Sequence, residues 1–581
     1  MFHGAGFFSS RRFDQRQVFR SKGFYDMTST SIKRDPAFIP VLIALWLALG
    51  VFIAFPFVKL LMTTFIVDGG FSLANIQKVF AESYNRLAFV NSIWLAAAVA
   101  IAGTFLGFVF AFAVTRIDMP APLKWFLGAV TVLPLISPPF TSSIALTLSL
   151  GPNGLLLKFL GIPDFNIYGF WGTWISESLT YFPVAFLTIS SVLACIDPNL
   201  EDAGLSLGGS PFRVFRTVTL PLTLPGLANS LLLLFACSLA DFATPLVLAG
   251  HQFPVLPTQA YLQITGLYDL KGGASLSFAL LVPALLVFFF QRYWLSRRSY
   301  VTISGKSGAR TTIKGMGTAG TCVVLGICAF VVAFILFLYA LIVVGAFIKV
   351  WGIDNSITWA NFEYVFTHGA NALKDTMLIA FISTPLGGLI AVLVAYITQR
   401  KSFLGNSLME VVSLLNFALP GTVVGIAYII AFNSGFLVLT GTMTILVAAY
   451  VFRYDSAGIR SVIASLQQID SSLEEASLSL GASSYATFRN VTLPLVMPAV
   501  VAGMKYLFIH SMTAISATIF LVSVRWTLLT TRILECMTEL QFGSACAFSV
   551  VLIILVFVFN GLLGLLVRTA GFNFKGQGGK E

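Results

Sequence analysis

Charge is scarce in this sequence. Asp, Glu, Lys and Arg together make up only 10% of the 581 residues, whereas hydrophobic residues make up 57%. A water-soluble domain of this size needs a charged and polar surface to face its solvent. The composition therefore excludes a soluble globular protein and places most of the chain in lipid.

Metal-binding and redox patterns are missing as well. His251, His368 and Asp269 lie in predicted loops without convergent partners. No CxxC pair occurs, and the cysteines fall mostly in or beside apolar runs, at Cys195, Cys237, Cys322, Cys328, Cys536 and Cys546. We therefore expect packing cysteines, no metal site and no cofactor bound by this chain.

A complete phosphate-binding loop is also absent. Gly305, Lys306 and Ser307 resemble the end of such a loop, but the motif needs a glycine five residues before the Gly-Lys pair, and position 300 is Tyr300. No strand is predicted before it. We expect this chain not to be an enzyme and not to hydrolyse ATP.

Long apolar runs are what the sequence does contain. A hydrocarbon core of roughly 30 Å requires about 20 helical residues. Twelve runs approach or exceed that length, at residues 38–66, 88–115, 126–149, 169–195, 222–250, 274–296, 318–348, 375–399, 405–433, 441–466, 495–523 and 545–568. The predicted fold class is an all-α polytopic membrane protein with about 12 transmembrane helices.

The distribution of Lys and Arg predicts the orientation of these spans. Most of them fall in segments that share one side of the membrane if both termini are cytoplasmic, as the positive-inside rule requires. The basic residues 1–37 precede a run too long for a signal peptide, so they are predicted to be a cytoplasmic tail. The net charge of +11 thus reflects topology, and no nucleic-acid partner is expected.

The two halves of the chain repeat each other residue by residue. Six spans in each half give both copies the same orientation, so the predicted fold is two parallel six-helix repeats about an axis along the membrane normal. Two pairs of segments match at an offset of 273 residues and a third at 284: 200–208 (LEDAGLSLG) with 473–481 (LEEASLSLG), 218–222 with 491–495 (both VTLPL), and 111–116 (AFAVTR) with 395–400 (AYITQR).

The repeated segment between the fourth and fifth spans of each half predicts a short capped helix. Asp197 can cap its first turn, Leu200, Ala203 and Leu207 form one apolar face, and Gly208 permits the left-handed turn that ends it. The second copy repeats the pattern with Asp470, Leu473, Ala476, Leu480 and Gly481. A plain amphipathic helix on the membrane surface is the alternative interpretation.

This segment resembles the cytoplasmic signature of ABC importer permeases, the MetI-like inner-membrane components of binding-protein-dependent transport. That signature is Glu-Ala-Ala, three variable residues, Gly and a later Leu-Pro, and in that family the helix docks into a cytoplasmic ATPase. The residues that the resemblance assigns to ATPase coupling are Glu201, Asp202, Ala203, Gly204 and Gly208 in the first copy, and Glu474, Glu475, Ala476, Ser477 and Gly481 in the second.

The resemblance implies partners and domain limits. A permease with two docking segments is expected to bind two copies of the ATPase, which use the ATP, and an external solute-binding protein, in a bacterial inner membrane. The loops 251–273 and 524–543 are the candidates for contact with that protein. The domains are a tail (1–37), a first permease domain (38–296, core about 88–292), a linker (297–317), a second permease domain (318–568, core about 372–565) and a C-terminal tail (569–581).

The tenth span is unusual because it carries charges. Arg453 and Asp455 are two residues apart and so about 200° around a helix, which prevents both from facing one pore. Arg453 is the candidate for the translocation path and Asp455 for pairing with a neighbouring helix. Pairing of the two residues with each other or with the first half, or a span set too deep, is the alternative. In the first half the positions of Tyr454 and Asp455 are occupied by Tyr181 and Phe182, which are uncharged, so such a path is asymmetric.

Two further segments bear on the substrate. Residues 241–245 (DFATP) and 514–521 (AISATIFL) in a fused permease resemble ferric-iron importer permeases of the Fbp/Afu type. Similar fused permeases serve 2-aminoethylphosphonate, so that small anion remains an alternative. A secondary transporter with parallel repeats is the rival from another class, but the duplicated docking motif does not fit it.

Overall fold

The computed structural model describes residues 38–152, 154–161, 165–291, 317–401 and 403–569. The predicted tails and linker lie outside this part of the chain, apart from Gly317 and Thr569. The described residues are almost entirely helical, and their only strands form two short antiparallel hairpins. The all-α prediction is therefore confirmed.

The first half contains fourteen α-helices and one hairpin. In order they are α1 Phe38–Leu49, α2 Phe55–Phe65, β1 Ile66–Val67, β2 Gly70–Phe71, α3 Ala74–Ala81, α4 Ser83–Arg116, α5 Ala121–Ile136, α6 Thr141–Leu150, α7 Leu155–Leu160, α8 Phe170–Cys195, α9 Pro198–Ser206, α10 Pro211–Val214, α11 Leu220–Leu239, α12 Ala243–Leu248, α13 Leu256–Thr265 and α14 Leu270–Phe290.

The second half repeats this order with a single first helix. Its elements are α15 Gly317–Ala346, β3 Ile348–Val350, β4 Asp354–Ile357, α16 Ala360–Thr367, α17 Ala370–Arg400, α18 Asn406–Ala418, α19 Gly421–Phe432, α20 Met443–Gln468, α21 Ser472–Ser479, α22 Ser484–Thr487, α23 Leu493–Thr513, α24 Thr518–Leu521, α25 Leu529–Thr538 and α26 Phe542–Thr569. One π-helical turn precedes α11 at Phe215–Thr219, another precedes α23 at Phe488–Thr492, and a third, Gly50–Ala54, joins α1 to α2.

Three long helices form the centre of each half. In the first half α4, α8 and α11 pack on one another, and in the second half their counterparts α17, α20 and α23 do the same. Glycine allows the closest approach: a Cβ on Gly503 of α23 would lie only 2.5 Å from the Cα of Gly458 in α20. Small residues thus let these helices touch through their backbones, as in other membrane bundles.

The first helix of each half packs largely against the other half. Helix α2 lies against α19, and α15 lies against α6, so each of the two largest apolar cores contains residues of both halves. The π-helical turn Gly50–Ala54 adds a polar tie, because the hydroxyl of Tyr428 donates to the carbonyl of Phe52 at 2.6 Å. The halves are therefore interlocked rather than simply side by side.

The predicted third and ninth spans are not single straight helices. The pair beginning with α5 bends by 99° and the pair formed by α18 and α19 bends by 105°. Pro138 and Pro139 lie in the first break and Pro420 lies in the second. Proline removes a backbone donor and disfavours helix in the residue before it. The predicted fifth and eleventh spans also end early, at Leu239 and Thr513.

The number of membrane-crossing helices follows from these corrections. Among the described residues, nine helices are long and apolar enough to cross a membrane, and the two bent pairs raise the number to eleven. The remaining predicted span is α20, a 26-residue helix that carries Arg453, Asp455 and Arg460. Asp455 is buried and Arg453 is half-buried in the bundle, whereas Arg460 is exposed.

Candidate functional site

The first copy of the repeated segment forms the short helix α9 with a defined start and end. The carboxylate of Asp197 accepts from the backbone N–H of Asn199 at 3.0 Å. At the other end Gly208 adopts φ +82°, and the N–H of Gly209 donates to the carbonyl of Gly204 at 3.1 Å. This closure satisfies carbonyls at the helix end that would otherwise lack partners. The capping and the glycine turn are as the sequence predicts.

The second copy, α21, has the same geometry. Asp470 accepts from the backbone N–H of Ser472 at 2.9 Å, Gly481 adopts φ +88°, and the N–H of Ala482 donates to the carbonyl of Ser477 at 3.2 Å. The backbone hydrogen bond from Ser472 lowers the pKa of Asp470. This carboxylate is therefore charged at neutral pH, and its contribution to the helix is lost only as the pH falls through the lowered pKa.

The predicted apolar faces of these two helices are open. Leu207 and Leu480 are each 89% exposed, while Leu200 and Leu473 are 45% and 49% exposed. Ala203 and Ala476, between them along each helix, are exposed too. Matching stripes of exposed leucine on two equivalent helices are unfavourable in water and are typical of surfaces that a partner covers. We call these residues the two apolar stripes.

The third position of each signature triplet packs against the helix that follows. A Cβ on Gly204 would lie 3.0 Å from a methyl group of Val214, so α9 rests closely on α10. At the equivalent place in the second copy the hydroxyls of Ser477 and Thr487 lie 2.9 Å apart. At this position each copy has a residue other than alanine, and that residue contacts a neighbour on the following helix.

Glu201 points inward from α9 to a buried ion pair. The Nε of Arg116, the last residue of α4, lies 3.2 Å from both carboxylate oxygens of Glu201. Arg116 also donates to the carbonyl of Leu193 in α8 at 3.0 Å, and Thr219 donates to Glu201 at 2.6 Å. The Glu201 side chain is 0% exposed, so it holds α9 against the bundle and is not open to contact with a partner.

The second half contains the same contacts at equivalent residues. Arg400, which ends α17, lies 3.1 Å from Glu474 and donates to the carbonyls of Leu466 and Ile469 at 3.1 and 2.8 Å. Thr492 donates to Glu474 at 2.9 Å. The two side chains of this pair are 14% and 12% exposed, so water reaches it more than the first pair. We call the two sets the first and second clamps.

Each clamp joins the ends of three long helices to one short helix. The sequence contained the signal, because both arginines end the repeated motifs AFAVTR and AYITQR and both threonines belong to the VTLPL motif. Their mutual contact was not predicted, since it joins residues that are 74 or 85 positions apart. The clamps thus tie each short helix to the ends of the long helices of its half.

Arg453 and Asp455 occupy different environments, as their spacing predicts. The Nη1 of Arg453 donates to the carbonyl of Leu419 at 3.0 Å, at the break between α18 and α19, and its guanidinium lies 5.3 Å from the ring of Tyr454. Asp455 is buried beside Gly387 and Gly458. Its Oδ2 has no hydrogen-bond partner in the described chain, so no polar pairing with a neighbouring helix is seen there.

A polar and aromatic patch surrounds Arg453. His510 stacks on Tyr454 with ring centroids 5.0 Å apart and also contacts Tyr506 at 4.2 Å. Arg453 is close enough to His510 and Tyr506 to interact with both electrostatically. Tyr506 interacts in the same way with Cys237 of the first half. Arg453 therefore belongs to a patch at the boundary between the two halves.

The external candidate loops are folded back into the protein. Helix α13 lies in the first loop and α25 in the second, and most of their side chains are buried. Ser92 accepts from the backbone N–H of Leu256 at 2.8 Å, and Thr376 accepts from that of Leu529 at 2.9 Å. Much of both predicted binding-protein loops is thus anchored to the N-terminal parts of α4 and α17.

These anchors give a stability prediction. Ser92→Ala and Thr376→Val each leave a buried backbone N–H without an acceptor, which costs about 1–3 kcal/mol. We expect both variants to unfold at lower temperature in detergent, as measured by the loss of monodisperse protein after heating. Thr367→Val is the matched control, because Thr367 is exposed and its hydroxyl bonds only within its own turn and to His368. Equal melting of all three variants would contradict the anchors.

The remaining sequence expectations concern metal, redox and phosphate-binding sites. In the described ranges no group of three or more His, Cys, Asp or Glu side chains is arranged to hold a metal ion. All six cysteines are free thiols. The incomplete phosphate-binding motif at residues 305–307 lies outside the described residues.

Comparison with known proteins matches both halves to one family model. The model is the binding-protein-dependent transport system inner membrane component, and it matches residues 103–300 and 383–571. A ferric transport system permease protein FbpB of Actinobacillus pleuropneumoniae is 36% identical over 534 residues, which cover 90% of this chain and 77% of that protein. A putative ferric transport system permease protein FbpB 1 of Haemophilus influenzae is 36% identical, covering 84% of this chain and 78% of that protein.

A shorter relative matches less of the chain. The molybdenum transport system permease protein ModB of Escherichia coli is 32% identical over 205 residues, or 33% of this chain and 85% of that protein. The double family match, the two long relatives and the duplicated helical bundle agree with one another. The chain belongs to the family of binding-protein-dependent transport system inner membrane components, as a fused two-domain, multi-pass permease of an ABC importer.

Proposed function

We propose that this chain is the permease of a ferric-iron importer and that two copies of a cytoplasmic ATPase dock on α9 and α21. The observation that carries the docking is the pair of apolar stripes, which are exposed to matching extents on helices equivalent by the internal repeat. The choice of ferric iron is supported by the names of the two relatives that match most of the chain.

The remaining parts of the assembly follow from this proposal. The two docking helices face the cytoplasm, together with both termini and the linker between the halves. An external solute-binding protein delivers the cargo to the opposite side, near α13 and α25. The partner ATPases consume the ATP, this chain binds no cofactor of its own, and its outer apolar surface contacts membrane lipid.

In this arrangement the clamps convert docking into movement. Closure of the two ATPases on ATP shifts α9 and α21, and each clamp passes the shift to the ends of α4, α8 and α11 or of α17, α20 and α23. Because both halves are interlocked through α2 and α15, they move as one gate about the central axis. Alternating access by rigid-body movement is the usual result of such repeats.

Uptake into proteoliposomes tests the proposal. The permease and its ATPase are reconstituted with ATP at the docking side, and the Fe³⁺-loaded binding protein is added at the other side. We expect Fe³⁺ accumulation that stops when a non-hydrolysable ATP analogue replaces ATP. Accumulation of 2-aminoethylphosphonate instead of Fe³⁺ would overturn the assignment of ferric iron as the cargo. Accumulation driven by an ion gradient without ATP would overturn the coupling and favour a secondary transporter.

A further inference from the structure

Two carboxylates lie buried together in the first half. Glu177 in α8 is 0% exposed, and Asp241 follows the end of α11. Ser238 donates a short hydrogen bond to Oε2 of Glu177. Oδ1 of Asp241 accepts from the backbone N–H groups of Ala243 and Thr244 at 3.0 and 3.4 Å. One oxygen of each carboxylate is therefore held in place by the protein.

The other oxygen of each carboxylate is not held in place in this way. Oε1 of Glu177 and Oδ2 of Asp241 are buried and accept no hydrogen bond of good geometry within the described residues, although the hydroxyls of Tyr181 and Thr244 lie close enough to Asp241 to interact with it. Neither side chain forms an ion pair in that part of the chain, although the two are close enough to repel each other. Tyr181 and Cys237 lie beside Asp241 and add no positive charge.

This arrangement is costly unless something neutralises it. Two carboxylates buried side by side cannot both stay ionised unless a cation lies between them; otherwise one of them takes up a proton. In membrane segments such groups mark ion pathways. Carboxylate, phenol and hydroxyl oxygens are hard ligands, which suit hard multivalent cations better than soft ones. Two carboxylates are too few for tight storage, which suits a site that must release its ion.

The position of the two acids in the repeat points to the central boundary. Their counterparts at an offset of 273 residues are Tyr450 and Ala514, so the second half has no equivalent acids. Cys237, which interacts with Asp241, also interacts with Tyr506 across the boundary. Cys237 therefore lies between the acidic pair and Tyr506, which belongs to the patch around Arg453.

We propose that Glu177 and Asp241 form a transit site for a hard multivalent cation on its way through the permease. This inference rests on the proposed function, because it places the ferric ion at these two carboxylates. The second half contributes no acid to the site, so the site is asymmetric about the pseudo-twofold axis.

Terbium(III) tests the site without transport, because its luminescence is sensitised by a nearby tyrosine and Tyr181 lies beside Asp241. We expect the purified permease–ATPase complex to show saturable sensitised Tb³⁺ luminescence. Glu177→Gln and Asp241→Asn keep the side-chain shape and each remove one charge, and each is expected to weaken Tb³⁺ binding by about 10- to 100-fold. Asp375→Asn is the matched control, because Asp375 is a largely buried acid whose first-half counterpart is Asn91, and its titration should match the wild type.

Iron uptake is the second arm of the test. We expect the Glu177→Gln complex to hydrolyse ATP on addition of the loaded binding protein, as the Asp375→Asn complex does, while its Fe³⁺ uptake falls about tenfold. Glu177→Asp keeps the charge and should recover part of the uptake. Unchanged Tb³⁺ titrations in both amide variants overturn the site, as does a loss of ATP hydrolysis that Glu177→Asp does not rescue. If the wild type takes up no Fe³⁺ but both amide variants still bind Tb³⁺ more weakly than the wild type does, the proposal of ferric iron as cargo fails and the cation site stands.

Discussion

Arg116→Met is expected to be the most damaging single substitution in the clamps that hold the docking helices. It removes the cation of the first clamp and leaves Glu201 buried at 0% exposure beside Thr219 alone. Removing one partner of a buried ion pair costs about 3–5 kcal/mol. We expect a much lower yield of folded permease, and no stimulation of ATP hydrolysis by the loaded binding protein in what remains.

Two further variants separate the buried charge from the clamp itself. Arg116→Met combined with Glu201→Leu removes both charges, so folded yield should recover while coupling stays low, because the short helix is no longer tied to α4. Arg400→Met breaks the second, more hydrated clamp and should lower yield less than Arg116→Met does. A yield for Arg116→Met equal to that for Arg400→Met, or unrecovered by the double variant, would contradict the buried-pair account.

Gly208→Val and Gly481→Val are expected to uncouple ATP hydrolysis from transport. Both glycines have positive φ, at +82° and +88°, where a residue with a Cβ loses roughly 1–2 kcal/mol and a β-branched one is strained further. An added Cβ would meet no atom within 4 Å at either position, so the effect acts through the backbone alone. The helix end should unwind and tilt the apolar stripe, while the transmembrane bundle remains folded.

Gly435→Val is the matched control for these variants. Gly435 has φ +98° and equally open space around it, but it lies between α19 and α20, far along the chain from either docking helix. We expect all three variants to be inserted and purified in similar amounts. Only Gly208→Val and Gly481→Val should lose ATP hydrolysis stimulated by the loaded binding protein. Normal stimulation in both, or an equal loss in Gly435→Val, would show that the glycine turns do not position the docking helices.

The sequence predicts most of this fold because membrane helices carry a strong local signal. Every predicted span contains helix, and the capped helix at Asp197 and its glycine turn at Gly208 follow from short-range patterns. The bends after α5 and α18 were missed, although Pro138 and Pro420 mark them, because the flanking runs are apolar enough to suggest one span each.

Contacts between distant residues could not be predicted in the same way. The packing of α2 on α19 joins opposite halves, and a hydropathy pattern carries no information about which helices are neighbours. Arg116 and Glu201 were each within repeated motifs, but nothing in their spacing shows that they meet. The apolar face of α9 was predicted correctly, whereas its exposure depends on what the rest of the bundle leaves uncovered.

The mass of the intact complex tests the central claim most directly. The permease is purified from its native membrane in detergent with the partners that remain bound, and native mass spectrometry gives its composition. One permease chain with two copies of one ATPase is the result expected from two equivalent docking helices. In a parallel sample, replacing Leu207 and Leu480 with aspartate should release both copies. A permease that carries no ATPase, or a permease homodimer with four ATPases, would contradict the account.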